Sequence, residues 1–221
     1  MQNGSGFSVP APVPDPNCDF CAPGKLAYVL YETSHFRLAA DFAPLVEGHL
    51  LIIPKDHYAC YGAVPAALDQ DLFALKETVR QFFTQYYAPP VFLEHGIFRQ
   101  TVFHAHLHCF PWGTIEYDMD AGVHEQVVTS QDEVRRWYAQ RGHYFYLEDP
   151  ALALLFPPDV ERYFRIIRGV FMRGMLLRGG KAELRPPQQR LAEGGPLIQA
   201  VVEKWQLFQT QGVSYASESG A

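Results

Sequence analysis

Three of the nine histidines in this 221-residue chain fall at alternate positions in Phe103-His104-Ala105-His106-Leu107-His108-Cys109-Phe110. Strict alternation with apolar residues reads as a strand, and Pro111 marks where its ladder must stop. In a strand, residues i, i+2 and i+4 point the same way, about 6–7 Å apart. His104, His106 and His108 therefore share one face, while Ala105, Leu107 and Cys109 pack into the other. A core has little use for three adjacent ionisable rings whose nitrogens all need partners. Such an array holds a metal, performs proton or phosphoryl chemistry, or does both. A neutral imidazole is a good nucleophile towards phosphorus when one nitrogen is free and the other donates a hydrogen bond. Neighbouring rings penalise double protonation and favour a neutral His106 near pH 7.

Cys18 and Cys21 form a second candidate group, since two thiolates three apart have the spacing of zinc sites and require two further ligands. The alternative is a reduced, unligated pair. Cys60 and Cys109 read as small core residues, and His35, His124 and His143 as ordinary surface or partly buried ones.

These residues must be positioned by a sheet. Residues 1–16 mix Gly, Ser and Pro without periodicity and read as a flexible arm. Leu26 to Glu32 and His35 to Asp41 are expected strands joined by a short Thr33-Ser34 turn. Gly48 to Pro54 is a third whose continuous apolar run implies burial on both faces. Pro65 opens a helix with Asp69 and Asp71 in its first turns, where the dipole favours acids. Leu68, Leu72, Leu75, Val79, Phe82 and Tyr86 form its apolar stripe, and Pro89-Pro90 ends it. Val91 to Glu94 and Val102 to Phe110 complete an antiparallel sheet with one long helix, an α+β unit over 17–112. Beyond it, His143 to Glu148 and Ala151 to Phe156 are expected strands. Asp159 to Leu177 (with Val160, Tyr163, Phe164, Ile167, Val170 and Phe171 on one side) and Pro196 to Phe208 are amphipathic helices. This α/β C-terminal extension, 113–221, should pack on the first unit rather than fold alone.

Nearly half of the residues are hydrophobic and 14% aromatic, which excludes a disordered chain. A net charge of −6 makes nucleic acid an unfavoured partner. No apolar run is long enough for a membrane span and no basic-then-apolar leader is seen, so the expectation is a cytoplasmic protein. Residues 1–130 carry 6 Lys+Arg against 14 Asp+Glu, and residues 131–221 carry 12 against 10, mostly Arg. Those arginines either line a solvated helix surface or face phosphates, which suit the guanidinium fork.

His104 to Phe110 resembles the His-φ-His-φ-His-φ-φ signature of the histidine-triad (HIT) superfamily of nucleotide hydrolases and transferases. Gln100-Thr101-Val102-Phe103 leads into it as the family's Gln-Ser/Thr-x-x does. Asp41-Phe42-Ala43-Pro44 and Gly48-His49-Leu50-Leu51-Ile52-Ile53-Pro54-Lys55 are similar to its Asp-φ-x-Pro and His-φ-φ-φ-φ-Pro-Lys segments. The Cys-x-x-Cys start looks like that of zinc-bearing bacterial members. The resemblance implies that His106 attacks an α-phosphate to form a nucleotidyl-histidine, with His108 as helper. Gln100 and Thr101 would contact the phosphate and leaving group. Asp41 would take the ribose hydroxyls, Phe42 would wall the sugar and base, and His49 would sit behind the triad. Zinc-bearing relatives imply a structural site of Cys18, Cys21, His57 and His104. Arg99 replaces a glycine usual in the family, and an arginine beside the phosphate favours a more charged substrate. His95 could face the phosphate site or cap its turn, and the second is preferred. A homodimer through the long helix and central strands is the assembly the family implies, unless the extension covers that surface or walls the pocket.

Three functions follow. One is an enzyme hydrolysing a nucleotide conjugate or transferring its nucleotidyl group. Another is a nucleotide-binding module with little turnover that acts through a partner. The last is a metal-centred protein with His104, His106 and His108 all as ligands.

Overall fold

Period-two alternation builds the sheet. In each central strand one set of side chains meets a helical layer and the other set meets the histidine side. Residues 14–22, 24, 26–114, 126–158, 160–162, 168–177 and 183–218 are described in a computed structural model of the chain. Strands β1 (Val29–Glu32), β2 (Phe36–Ala40), β3 (Leu50–Pro54), β4 (Val91–Glu94), β5 (Leu107–Phe110), β6 (Gln126–Val128), β7 (Phe145–Glu148) and β8 (Ala153–Phe156) form one sheet. Its order is β1-β2-β3-β5-β4-β7-β8-β6, with every neighbouring pair antiparallel. The fold is α+β, and the extension continues the same sheet.

Helix α1 (Asp69–Tyr86) starts after a 3-10 turn at Ala66–Leu68. It buries Leu72, Leu75, Val79 and Phe82 against Leu38, Ile52, Phe92, Ala105, Leu107 and Cys109. Helix α2 (Gln131–Arg141) joins this layer through Val134 and Trp137. A further helix at the C-terminal end, Gly195–Glu218, joins it through Ile198, Val201 and Trp205. Burying such a side chain is worth roughly 1.5–3 kcal/mol, so this layer dominates the core. On the opposite face, Val91, Leu93, Phe110, Phe145, Leu147, Leu154 and Phe156 pack on the extension's Val170, Phe171 and Met175. The same face carries Cys18 and Phe20 against Ala39, Leu51 and Ile53.

Besides α2, the extension's described helical parts are α3 (Val160–Arg162), α4 (Arg168–Leu177), α5 (Pro187–Glu193) and α6 (Gly195–Glu218). Helix α6 is almost twice as long as its apolar pattern predicts. Trp205 anchors it, packing on Phe82 at 5.0 Å and donating from Nε1 to the Leu30 carbonyl at 2.9 Å. The helix expected over 159–177 is represented by α3 and α4, and Tyr163, Phe164 and Ile167 lie outside the described residues. β6, α2 and α5 add elements that hydrophobic patterning did not predict.

One boundary differs where it matters. The last strand of the HIT-like unit starts at Leu107, not Val102. Upstream the backbone bends, with the His104 N–H on the Val102 carbonyl at 2.9 Å and Ala105 N–H on Tyr58 O at 2.6 Å. Phe103 is exposed and His104 buried, so the chain here follows side-chain ties rather than a ladder. The edge of β4 away from β5 is taken by β7, with Leu93 opposite Leu147. The chain's own extension thus covers the long helix and a central strand.

Candidate active site

His108 sits in β5 opposite Leu51 and Leu93, so neighbours on both sides fix its backbone. The His106 and His108 ring centroids are 5.0 Å apart, with the rings edge to face. Hydrogen bonds determine which nitrogens carry protons. His106 Nδ1 lies 2.6 Å from the His104 carbonyl, which can only accept, so Nδ1 carries the hydrogen and Nε2 keeps its lone pair. The Leu45 N–H donates to His49 Nδ1 at 3.3 Å, which puts the hydrogen of His49 on Nε2. That nitrogen lies 2.9 Å from His108 Nδ1 and 3.5 Å from Asp41 Oδ2, and the shorter contact takes the hydrogen. His108 is left with Nε2–H as an outward donor. Asp41 Oδ1 accepts from the Ala43 N–H at 2.7 Å.

Burial keeps these rings neutral. It pushes His49 down to about 4, against the opposing effect of the Asp41 carboxylate. His106 is lowered by burial, partly offset by its bond to the His104 carbonyl. His108 falls well below the ordinary histidine value through burial and then through His106, His49 and His95. Gln100 is buried, and neither atom of its amide has a hydrogen-bond partner among the described residues. A buried amide left open on both atoms is unusual in a native fold and points to a ligand contact. Thr101 and Arg99 are exposed, and Phe42 is 44% exposed.

The Cys/His group assembles from three places. Cys18 and Cys21 lie in a tight turn with the Cys21 N–H on the Cys18 carbonyl at 3.2 Å. His57 follows β3, and His104 precedes the bend. His104 Nδ1 is 3.5 Å from Cys18 Sγ and 3.4 Å from Cys21 Sγ, and His57 Nδ1 is 3.2 Å from Cys21 Sγ. Tetrahedral zinc with ordinary Zn–S and Zn–N bonds sets such edges at about 3.5 Å. His104 Nε2 is committed to the Pro54 carbonyl at 2.8 Å, so its Nδ1 presents a lone pair to two sulfurs. All four donor atoms lie within 4.8 Å of one another. A cation resolves that convergence of lone pairs, and the group fits zinc. Asp41, His49 and His108 also converge, but their hydrogen-bond chain already uses the facing nitrogens. His104, His106 and His108 do not form one ligand set, which removes the reading of the triad as a metal centre.

Residues 25–114 match the HIT domain family. The uncharacterized HIT-like protein MG132 of Mycoplasma genitalium is 31% identical over 102 residues, covering 42% of this chain and 70% of its own length. The chain belongs to the HIT family. Among solved structures it is similar to a HIT family protein from Bacillus anthracis, at 21% identity and a TM-score of 0.40, covering 56% of this chain and 93% of that one. It is also similar to a zinc-bound histidine triad family protein from Mycobacterium smegmatis, at 24% identity and 0.36, covering 56% and 94%.

Two side chains of this HIT protein near the site, Phe20 and Arg190, escaped sequence reasoning. Phe20 meets His104 and His106 edge-on, at 5.8 and 5.4 Å. The Cys-x-x-Cys spacing places Phe20 between the two ligands, a signal that could have been used. His95, weighed from the sequence, lies in the turn after β4 and touches the triad. Its carbonyl closes the turn by accepting from the Phe98 N–H at 3.0 Å, and its ring meets His108 edge-on at 5.9 Å. Arg190, outside the HIT match, reaches the Ala43 carbonyl, and no local sequence pattern announces that.

Proposed function

We propose that this HIT protein is a nucleotide hydrolase or nucleotidyltransferase working through a covalent nucleotidyl-histidine. The observation that carries the reading is the locked tautomer of His106, whose Nδ1–H is held by the His104 carbonyl so that Nε2 presents its lone pair. In the first step Nε2 forms a bond to the α-phosphorus while the bond from phosphorus to the leaving group breaks. The leaving group departs with the electron pair and takes up a proton. The positive charge arising on His106 is shared with the His104 carbonyl through Nδ1–H. In the second step the oxygen of water or another acceptor bonds to phosphorus and releases its proton to solvent, the P–N bond breaks, and neutral His106 returns with its hydrogen on Nδ1.

The other groups have positioning roles. His108 donates from Nε2 to a phosphate oxygen, and His49 fixes its tautomer from behind. Gln100 contributes its open amide to the phosphate, with Thr101 and Arg99 towards the leaving group. Asp41 accepts from the ribose hydroxyls beside Phe42. Cys18, Cys21, His57 and His104 would hold zinc in a closed set of four with no position for substrate, which makes its role structural. The zinc would cross-link the N-terminal turn to the residue two before the nucleophile and so hold the His104 carbonyl in place.

The reading is tested by mixing the protein with a nucleoside phosphoramidate or a dinucleoside polyphosphate, quenching in base, and weighing the peptide that contains His106. The expected result is a nucleotidyl adduct on that peptide and loss of turnover by about 10⁴-fold or more in His106→Ala. Full activity in His106→Ala with no adduct would sink the mechanism.

A further inference from the structure

The loop between β2 and β3, Asp41–Gly48, carries Asp41 and Phe42 and leads into His49. Its ends are tied by the Asp41 N–H on the His49 carbonyl at 3.0 Å. Connecting loops are ordinarily among the more mobile parts of a fold. This one is gripped from outside by the extension at three successive points. Arg190 of α5 donates from Nη1 to the Ala43 carbonyl and from Nε to the Arg185 carbonyl at 3.2 Å, which ties the guanidinium to its own segment. Gly194, between α5 and α6, lies so close to Pro44 that a Cβ there would come within 2.7 Å of Pro44 Cδ. Lys204 of α6 pairs with Glu47, which also accepts from the Tyr87 hydroxyl at 2.9 Å.

The same stretch of backbone serves the site from inside. The Ala43 N–H donates to Asp41 Oδ1 at 2.7 Å, and the Leu45 N–H to His49 Nδ1 at 3.3 Å. Ala43 therefore carries Arg190 on its carbonyl and Asp41 on its N–H, so a shift of the loop takes the carboxylate with it. A recognition group works only while held within about 0.5 Å of its productive pose. We propose that the extension is a splint for ribose recognition, with Arg190 a positioning residue that acts on Asp41 through Ala43 and so sets the preference for ribonucleotides over deoxyribonucleotides. This rests on Asp41 taking the ribose hydroxyls, as read above. Arg190 touches no substrate; it spares the loop an ordering cost when the sugar binds.

The test titrates AMP, GMP and their deoxy forms by calorimetry against the full chain as wild type, Arg190→Met, Arg190→Lys and Asp41→Ala. Wild type prefers the ribose forms by about tenfold, the worth of one hydrogen bond to a charged group. Arg190→Met keeps the aliphatic stem without the donors, and the preference falls below about threefold. Arg190→Lys returns a charged donor to the Ala43 carbonyl and restores most of the preference. A general loosening of the fold weakens ribose and deoxyribose forms alike and leaves their ratio where it was. An unchanged ratio in Arg190→Met, or a loss that Arg190→Lys does not restore, overturns the proposal. If wild type binds no nucleotide, shows no preference, or keeps its preference in Asp41→Ala, the ribose role of Asp41 falls and the splint with it. If Asp41→Ala abolishes the preference and Arg190→Met leaves it intact, only the splint falls.

Discussion

Glu94, at the end of β4, is 1% exposed and sits under the site in the core. The Tyr61 N–H donates to Oε1 at 2.7 Å and the Tyr144 hydroxyl to Oε2 at 2.6 Å. Burial outweighs those two bonds and raises the carboxyl from its ordinary 4.5 to about 7. An acid raised in the native state stays protonated there after the unfolded chain has ionised. Its contribution to stability is therefore complete below about pH 4.5 and is lost as pH climbs through about 7. Across pH 5 to 8 the loss amounts to about 2.5 kcal/mol. The buried histidines pull the other way. His49 and His95, each lowered to about 4 mainly by burial, should each lose about 2 kcal/mol as pH falls from 8 to 5. The effect of Glu94 is thus hidden in the wild-type curve and exposed by difference. Glu94→Gln keeps the shape and can still accept from Tyr61, while the Tyr144 hydroxyl turns to accept from the new amide. Urea unfolding of both proteins at pH 5, 6, 7 and 8 should show Glu94→Gln gaining about 2–3 kcal/mol on wild type between the ends of that series. A difference that stays flat, or that favours wild type as pH rises, refutes the assignment of Glu94 as a buried acid.

Two further outcomes are expected. Metal analysis of purified protein should give about one zinc per chain, kept in His106→Ala and lost in Cys18→Ala, and zinc loss in His106→Ala would contradict the division of the triad. Lys76 in α1 is buried and pairs with Glu148 of β7, which also binds Arg80. Glu148→Gln should cost about 3–5 kcal/mol by urea unfolding, whereas Lys76→Met with Glu148→Leu should recover most of it. A double variant as unstable as the single one would show that the pair itself, not a stranded charge, supplies the stability.

What the sequence reveals depends on how local its cause is. α1 is legible because its stripe and its acidic first turn both lie within the helix. The burial of Lys76 amid that stripe is not, because its partner is 72 residues away. The sidedness of Leu107 and Cys109 follows from alternation, but the bend before Leu107 comes from His104 being drawn to Cys18 and Cys21 and to the Pro54 carbonyl. α2 carried a readable start signal that apolar patterning passed over. Ser130 stands three residues before Glu133, and the carboxylate accepts the Ser130 N–H at 3.2 Å. The resemblance to zinc-bearing relatives implies the group of Cys18, Cys21, His57 and His104 that the structure assembles. It says nothing of Arg190, which lies 147 residues from the carbonyl it holds.

The pairing of β7 with β4 has a kinetic consequence. A wall supplied by a separate subunit is present only as far as protein concentration allows. Here the covering strand and α6 are tethered to the HIT unit by the chain itself, so docking is a unimolecular step at a high effective concentration. Dilution cannot strip the covered strand edge, and the fraction of chains with a completed sheet is set by folding alone.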